Sequence, residues 1–147
     1  MKIAIGSDHA GLTLKLSLIK HLKSKKISVN DFGTYDDQRT HYPLFAEKVA
    51  KAVIEGKAER GILICGTGVG MSITANKFHG IRAVVCSEPY SAILSRQHNN
   101  TNVLCLGGRV VGDGLANLIV DQWLAAEYDG SRHQKRLDMI KRIEDQY

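Results

Sequence analysis

Short apolar runs recur at Ile3–Ile5, Ile27–Phe32, Ile62–Ile64, Ala83–Cys86 and Val103–Leu106, each followed by a longer stretch with apolar residues at helical spacing. The alternation predicts five strands interleaved with helices. Leu12, Leu16, Ile19 and Leu22 form one apolar stripe, and Phe45, Val49, Ala52 and Val53 a second. Leu115, Leu118, Ile119, Gln122 and Trp123 form a third, mostly apolar one. Strands so short and so uniformly apolar suit a sheet covered on both faces, which points to parallel strands in a three-layer α/β/α sandwich. Two-residue hairpin signals, which an antiparallel sheet would need, are missing. Pro43 and Pro89 fall at first turns of helices, where the absent N–H costs nothing. Glu127–Ser131 reads as a linker into a last helix spanning residues 132–144. The apolar face of that helix, Leu137, Ile140 and Ile143, is narrow, so it is expected to be an arm packed on another surface.

Composition limits the picture to one domain, residues 1–147, with 44% hydrophobic residues and enough of them for a proper core. The formal charge of +5, from 20 Lys and Arg against 15 Asp and Glu, suits small anionic substrates as well as nucleic acid. No basic block interleaved with aromatics favours single-stranded nucleic acid, so none is expected as a partner. Cys65, Cys86 and Cys105 are odd in number and widely spaced, as in a reduced, intracellular protein. The chain opens directly on a strand pattern, with no export signal, and no apolar run approaches the ~20 residues of a membrane span. A soluble, cytoplasmic protein is expected, without contact with a membrane. Neither HExxH nor paired cysteines occurs, so no metal is expected.

Chemistry concentrates in loops. In a doubly wound, Rossmann-like sheet, ligands bind beyond the carboxyl ends of the strands where strand order reverses. With the expected order 2-1-3-4-5, Asp8 and His9 after the first strand would face Cys65-Gly66-Thr67-Gly68-Val69-Gly70 after the third. Three glycines at alternate positions let successive N–H groups turn inward around a negative charge. The loop fits neither nucleotide fingerprint: it follows the third strand, and no Gly-Lys-Ser/Thr follows it. Cys65 lies where the strand gives out, beside donors that would favour its thiolate, and a thiol titrates nearer neutrality than a carboxylate. Cys86 and Cys105 lack that context and read as core, and Asp8 could simply cap the helix that follows it. His98, beside Asn99 and Asn100, is suited to proton transfer, whereas His21 and His79 read as surface residues. Arg132 and Arg136 share a helix face and, with His133 beside them, could form a basic fork for phosphate. Arg109 adds a cation on the ligand side of the sheet.

Ser7-Asp8-His9-Ala10-Gly11, Asp31-Phe32-Gly33-Thr34, Tyr42-Pro43, Ile64 to Gly70, Asn76-Lys77, Gly80-Ile81-Arg82-Ala83, Ser95 to Asn99 and Gly130-Ser131-Arg132-His133 together resemble the type B ribose-5-phosphate isomerases. They also resemble the related galactose- and allose-6-phosphate isomerases. The resemblance covers the chain from Met1 to about Arg142. It implies interconversion of an aldose phosphate and a ketose phosphate, without cofactor, through a cis-enediol. D-ribose 5-phosphate and D-ribulose 5-phosphate are the expected pair, with allose or galactose 6-phosphate as alternatives. It implies Cys65 as the base, Thr67 assisting at the substrate oxygens, and the backbone of Gly66, Gly68, Val69 and Gly70 stabilising the enediolate. Asp8 and His98 match the groups that open the furanose ring, with Asn99 nearby. Tyr42 falls among the substrate-binding residues, and His9, Arg109, Arg132 and Arg136 match the phosphate region. Part of the family uses a glutamate base farther along, but here Gly70, Met71, Ser72 and Ile73 supply no acid. Family members are homodimers or pairs of dimers with sites at the subunit interface, so His98, Asn99 and Arg109 are expected to complete a partner's site around Cys65. Galactose-6-phosphate isomerase usually combines two different chains, one lacking catalytic residues. This chain keeps Cys65, Thr67 and His98 together, which favours a homomer. A non-catalytic sugar-phosphate-binding module is the alternative from another class.

Overall fold

The computed structural model describes residues 1–147. Five strands, β1 (Lys2–Ser7), β2 (Ser28–Asp31), β3 (Arg60–Cys65), β4 (Ala83–Val85) and β5 (Val103–Gly107), all pair in parallel. Helices α1 (Leu12–Ser24), α2 (Tyr42–Ile54), α3 (Val69–Ala75), α4 (Pro89–Asn99), α5 (Asp113–Ala125) and α6 (Arg132–Gln146) follow, with a short 3-10 turn at His9–Gly11. Pro43 and Pro89 sit in first turns, as their missing N–H groups dictate.

The strand order is β2-β1-β3-β5-β4, not the expected 2-1-3-4-5. Length and burial go with the exchange. All five residues of β5 are buried, whereas the three of β4 are half-buried, and the shorter, less covered strand takes the edge. The neighbourhood of β1 and β3 is unaffected, with Ile5 opposite Ile62 and Ser7 opposite Ile64, so the reversal point of the sheet lies where it was expected.

Alternate strand residues feed two cores. Ile3, Ile5, Ile62, Ile64, Leu104 and Leu106 meet Leu14, Leu18 and Leu22 of α1 and Ile119 and Trp123 of α5. Ala4, Leu63, Val103 and Cys105 on the other face meet Phe45, Val49 and Met71 from α2 and α3. Two stripes differ from the sequence expectation. In α1, Leu16 is exposed and Lys15 is fully buried; in α5, Leu115 and Leu118 are exposed while Ala116 and Val120 point inward. Each helix is rotated because a small or long-stemmed residue fits its crowded face. Lys15 is accommodated by an ion pair with Asp31 at 2.6 Å and by donation to the Thr34 carbonyl. No helix is long and apolar enough to cross a membrane.

Candidate active site

Three loops at the carboxyl end of the sheet are laced together by backbone bonds. Asp8 N–H donates to the Ile64 carbonyl at 3.2 Å, Gly108 N–H to that of Cys65 at 2.8 Å, and Arg109 N–H to that of Gly66 at 3.1 Å. The lacing depends on small residues. A side chain at Gly11 would sit 2.6 Å from the Ile64 oxygen, and one at Gly108 would sit 2.7 Å from that of Ala10. Asp8, His9, Cys65, the glycine loop and Arg109 therefore share one rim.

Cys65 ends β3, 5% exposed, and its Sγ accepts from Gly68 N–H at 3.1 Å. That bond requires the loop to double back, and Gly68 does so at φ +82° against the Leu106 backbone. The peptide N–H is thereby aimed at the sulfur. Thr67 is exposed, and its hydroxyl accepts from Val69 N–H at 3.3 Å, holding the first turn of α3. Tyr42 lies across the loop, its ring occupying the space where a Gly70 side chain would project. The Arg109 guanidinium lies over Gly66 but leaves room, its Nη1 3.5 Å from where a side-chain carbon would stand. Cys86 and Cys105 are buried core, and burial pushes the Cys86 thiol up to about 11 and that of Cys105 well above its usual value.

Asp8 is 6% exposed, and its Oδ1 accepts from Gly11 N–H at 3.1 Å, so the capping role is real. His9 Nδ1 accepts from Thr40 N–H at 3.2 Å, which in the neutral ring leaves the proton on Nε2. The Thr40 contact and the Lys15–Asp31 pair have no motif of their own in the sequence. The only signal for the pair is a lysine inside an apolar stripe upstream of an acidic strand end.

A second group stands at the opposite end of the sheet. His98 and Asn99 close α4, which runs back along the strands for 11 residues, about 16 Å. Asp129 N–H donates to the Gln97 carbonyl, so the segment before α6 docks on this turn and brings up Arg132 and Arg136, both exposed. His133 does not join the arginines in a solvent-facing fork. It is 4% exposed and stacks on His98, ring centroids 4.2 Å apart and planes 9° from parallel. Its spacing to Leu137 and Ile140 puts it on the narrow apolar face of α6, a signal that its basic neighbours obscured. Burial, then His98, Arg132 and Arg136, lower the His133 pKa against an opposing pull from Asp129.

One chain thus carries the expected site residues in two separate groups. Cys65, Thr67, Asp8, His9, Tyr42 and Arg109 occupy the carboxyl end, and His98, Asn99, Arg132 and Arg136 the amino end. Arg109 was expected to come with His98 from a partner. It lies instead beside the Cys65 of its own chain, because the β3 and β5 loops are hydrogen-bonded neighbours.

The sequence is 60% identical over 143 residues to ribose-5-phosphate isomerase B of Escherichia coli, covering 97% of this chain and 96% of that protein. The fold is similar to the ribose-5-phosphate isomerase B structure of Clostridium thermocellum, at a TM-score of 0.99 and 53% identity, over 100% and 99% of the two chains. It is also similar to that of Mycoplasma genitalium with bound ribulose 5-phosphate, at a TM-score of 0.95 and 47% identity, over 99% and 97%. Residues 3–140 match the Ribose/Galactose Isomerase family model, and this chain, with its cysteine under a glycine nest and its histidine and arginines at the far end of the sheet, belongs to that family.

Proposed function

We propose that this protein is an aldose–ketose isomerase that interconverts D-ribose 5-phosphate and D-ribulose 5-phosphate. The observation that carries the reading is the Cys65 sulfur held by Gly68 N–H at the mouth of an inward-turned backbone loop. Removing a proton next to a carbonyl develops charge on oxygen, and fixed N–H donors are most effective where that charge appears. Cys65 is the base that carries the proton between C1 and C2. The backbone of Gly66, Gly68, Val69 and Gly70 receives the enediolate, with Thr67 at the substrate oxygens. Asp8 and His98 open the furanose ring with Asn99 beside them, and His9, Arg109, Arg132 and Arg136 hold the phosphate.

The working unit is a homodimer in this reading. A sugar phosphate cannot touch both ends of one sheet, so a second copy must bring its His98 end to the Cys65 end of the first. Ile140 and Ile143 on α6, about half exposed or more in the single chain, are available for such a contact. Three unpaired cysteines fit a cytoplasmic setting.

Coupled assays of the purified protein with ribose, allose and galactose phosphates, without added metal, test the assignment. Turnover should be highest with ribose 5-phosphate and accompanied by solvent deuterium entering C1 or C2. A clear preference for a six-carbon phosphate overturns the substrate, and ligand binding without proton exchange overturns the enzyme.

A further inference from the structure

His98 and His133 form the one face-to-face aromatic pair in the chain, and the parts around it look built to hold it. Arg82 donates to the Asn99 and Asn100 carbonyls, and Arg96 to the Asn100 side chain and the Thr101 carbonyl, so the end of α4 is clamped. Asp129 N–H then ties the next segment to Gln97, and Ser131, at φ +51°, turns the chain into α6 with His133 N–H on the Gly130 carbonyl. The outcome is a 4% exposed imidazole lying flat beneath a half-buried one.

Asp129 brings a carboxylate within 4.8 Å of both imidazoles' nitrogens, which raises the question of a metal. Two rings lying parallel at 4.2 Å direct their in-plane lone pairs side by side and not toward one point. The cluster is a stack and not a chelate. Nor is His133 placed like Arg132 and Arg136, which are exposed on the same helix.

We propose that His133 is a positioning residue, its flat buried ring fixing the orientation of the His98 imidazole for opening the furanose, without touching the substrate. The proposal rests on the reading of His98 given above. Proton transfer to a ring oxygen tolerates little misalignment, and an imidazole at a helix end has free rotation unless something lies against its face. His133 supplies that surface.

The test separates ring opening from enediol chemistry. Ribulose 5-phosphate has its C5 oxygen esterified and forms no furanose, so exchange of its C1 proton with deuterium oxide needs Cys65 but not His98. Two substitutions divide the properties of His133: His133→Phe keeps a flat ring and loses the hydrogen-bonding nitrogens, and His133→Gln keeps polar atoms and loses the ring. Expected for His133→Gln is a fall of about tenfold or more in ribose 5-phosphate turnover, with C1 exchange and competitive inhibition by inorganic phosphate within about twofold of wild type. His133→Phe should recover most of the turnover. The reverse pattern, with Gln active and Phe inactive and phosphate inhibition weakened in Phe, overturns the proposal in favour of a phosphate ligand. His98→Ala is the reference and should lose turnover while keeping exchange. If it keeps full turnover, the ring-opening assignment falls and the proposal with it. If it loses turnover while both His133 variants match wild type, only the proposal falls.

Discussion

At the scale of single residues, the site is a matter of what stands next to sulfur. Under the proposed mechanism Cys65→Ala removes the base beside the glycine loop, and kcat should drop by about a thousandfold. Inhibition by inorganic phosphate should persist, because the arginines are untouched; near-wild-type turnover in a coupled assay would disprove the base. Thr67→Ala should cost only about tenfold, since the backbone donors remain. Gly68→Ala makes a different prediction. It forces a side chain into the left-handed region at φ +82° and to 3.0 Å from the Leu106 backbone, so the loop must shift away from Cys65. Thermal unfolding should show a loss of about 1–2 kcal/mol, and kcat should fall more than KM rises. The meeting of Asp8 with Cys65 and its glycine loop was legible in the sequence because both loops follow neighbouring strands at the point where strand order reverses. The state of His133 was not, since burial of a histidine flanked by arginines depends on where the preceding turn docks.

Elements show where periodicity gave way to packing. The α1 stripe read as Leu12, Leu16, Ile19 and Leu22 takes lysine for a solvent residue, but Lys15 lies on the buried face because Asp31 and the Thr34 carbonyl await it beneath the helix. No sequence period encodes a partner 16 residues away. The pair anchors the turn after β2 whose Gly33 carbonyl and Thr34 N–H bond Ser7, immediately before Asp8. Lys15→Met should therefore act twice. Leaving Asp31 without its cation should cost about 2–3 kcal/mol in urea unfolding, at the low end for a buried pair because Asp31 is partly exposed. The KM for ribose 5-phosphate should also rise, as the turn that holds Ser7 beside Asp8 loses its anchor. An unchanged unfolding midpoint would show that the pair contributes little. The same limit explains α5, where two leucines read as core are exposed and alanine and valine fill the tighter space.

For the whole molecule, the strands, their parallel pairing and the layers were legible in the sequence, because short and mostly apolar runs alternating with helical stretches have few other destinations. The sequence could not order the last two strands, since which of them is more deeply covered is decided by helices on both faces. The two separate groups lead to a test of the proposed shared site. A Cys65→Ala chain and a His98→Ala chain, each inactive alone, should regain up to about half of the normal sites in hybrid dimers once subunits exchange. No recovery despite demonstrated exchange would refute the shared site, and an active monomer by light scattering would refute the dimer requirement.

In the proposed shared-site dimer, with the two groups of one chain at opposite ends of its sheet, the inheritance of a lesion depends on how many ends it touches. A Cys65→Ala chain made in equal amount with an intact one leaves each mixed dimer one working site, and total activity stays at about half. A chain altered at both Cys65 and His98 spoils both sites of every mixed dimer, and activity falls to about a quarter. The double lesion is dominant where the single one is merely additive, although neither chain binds its partner any differently.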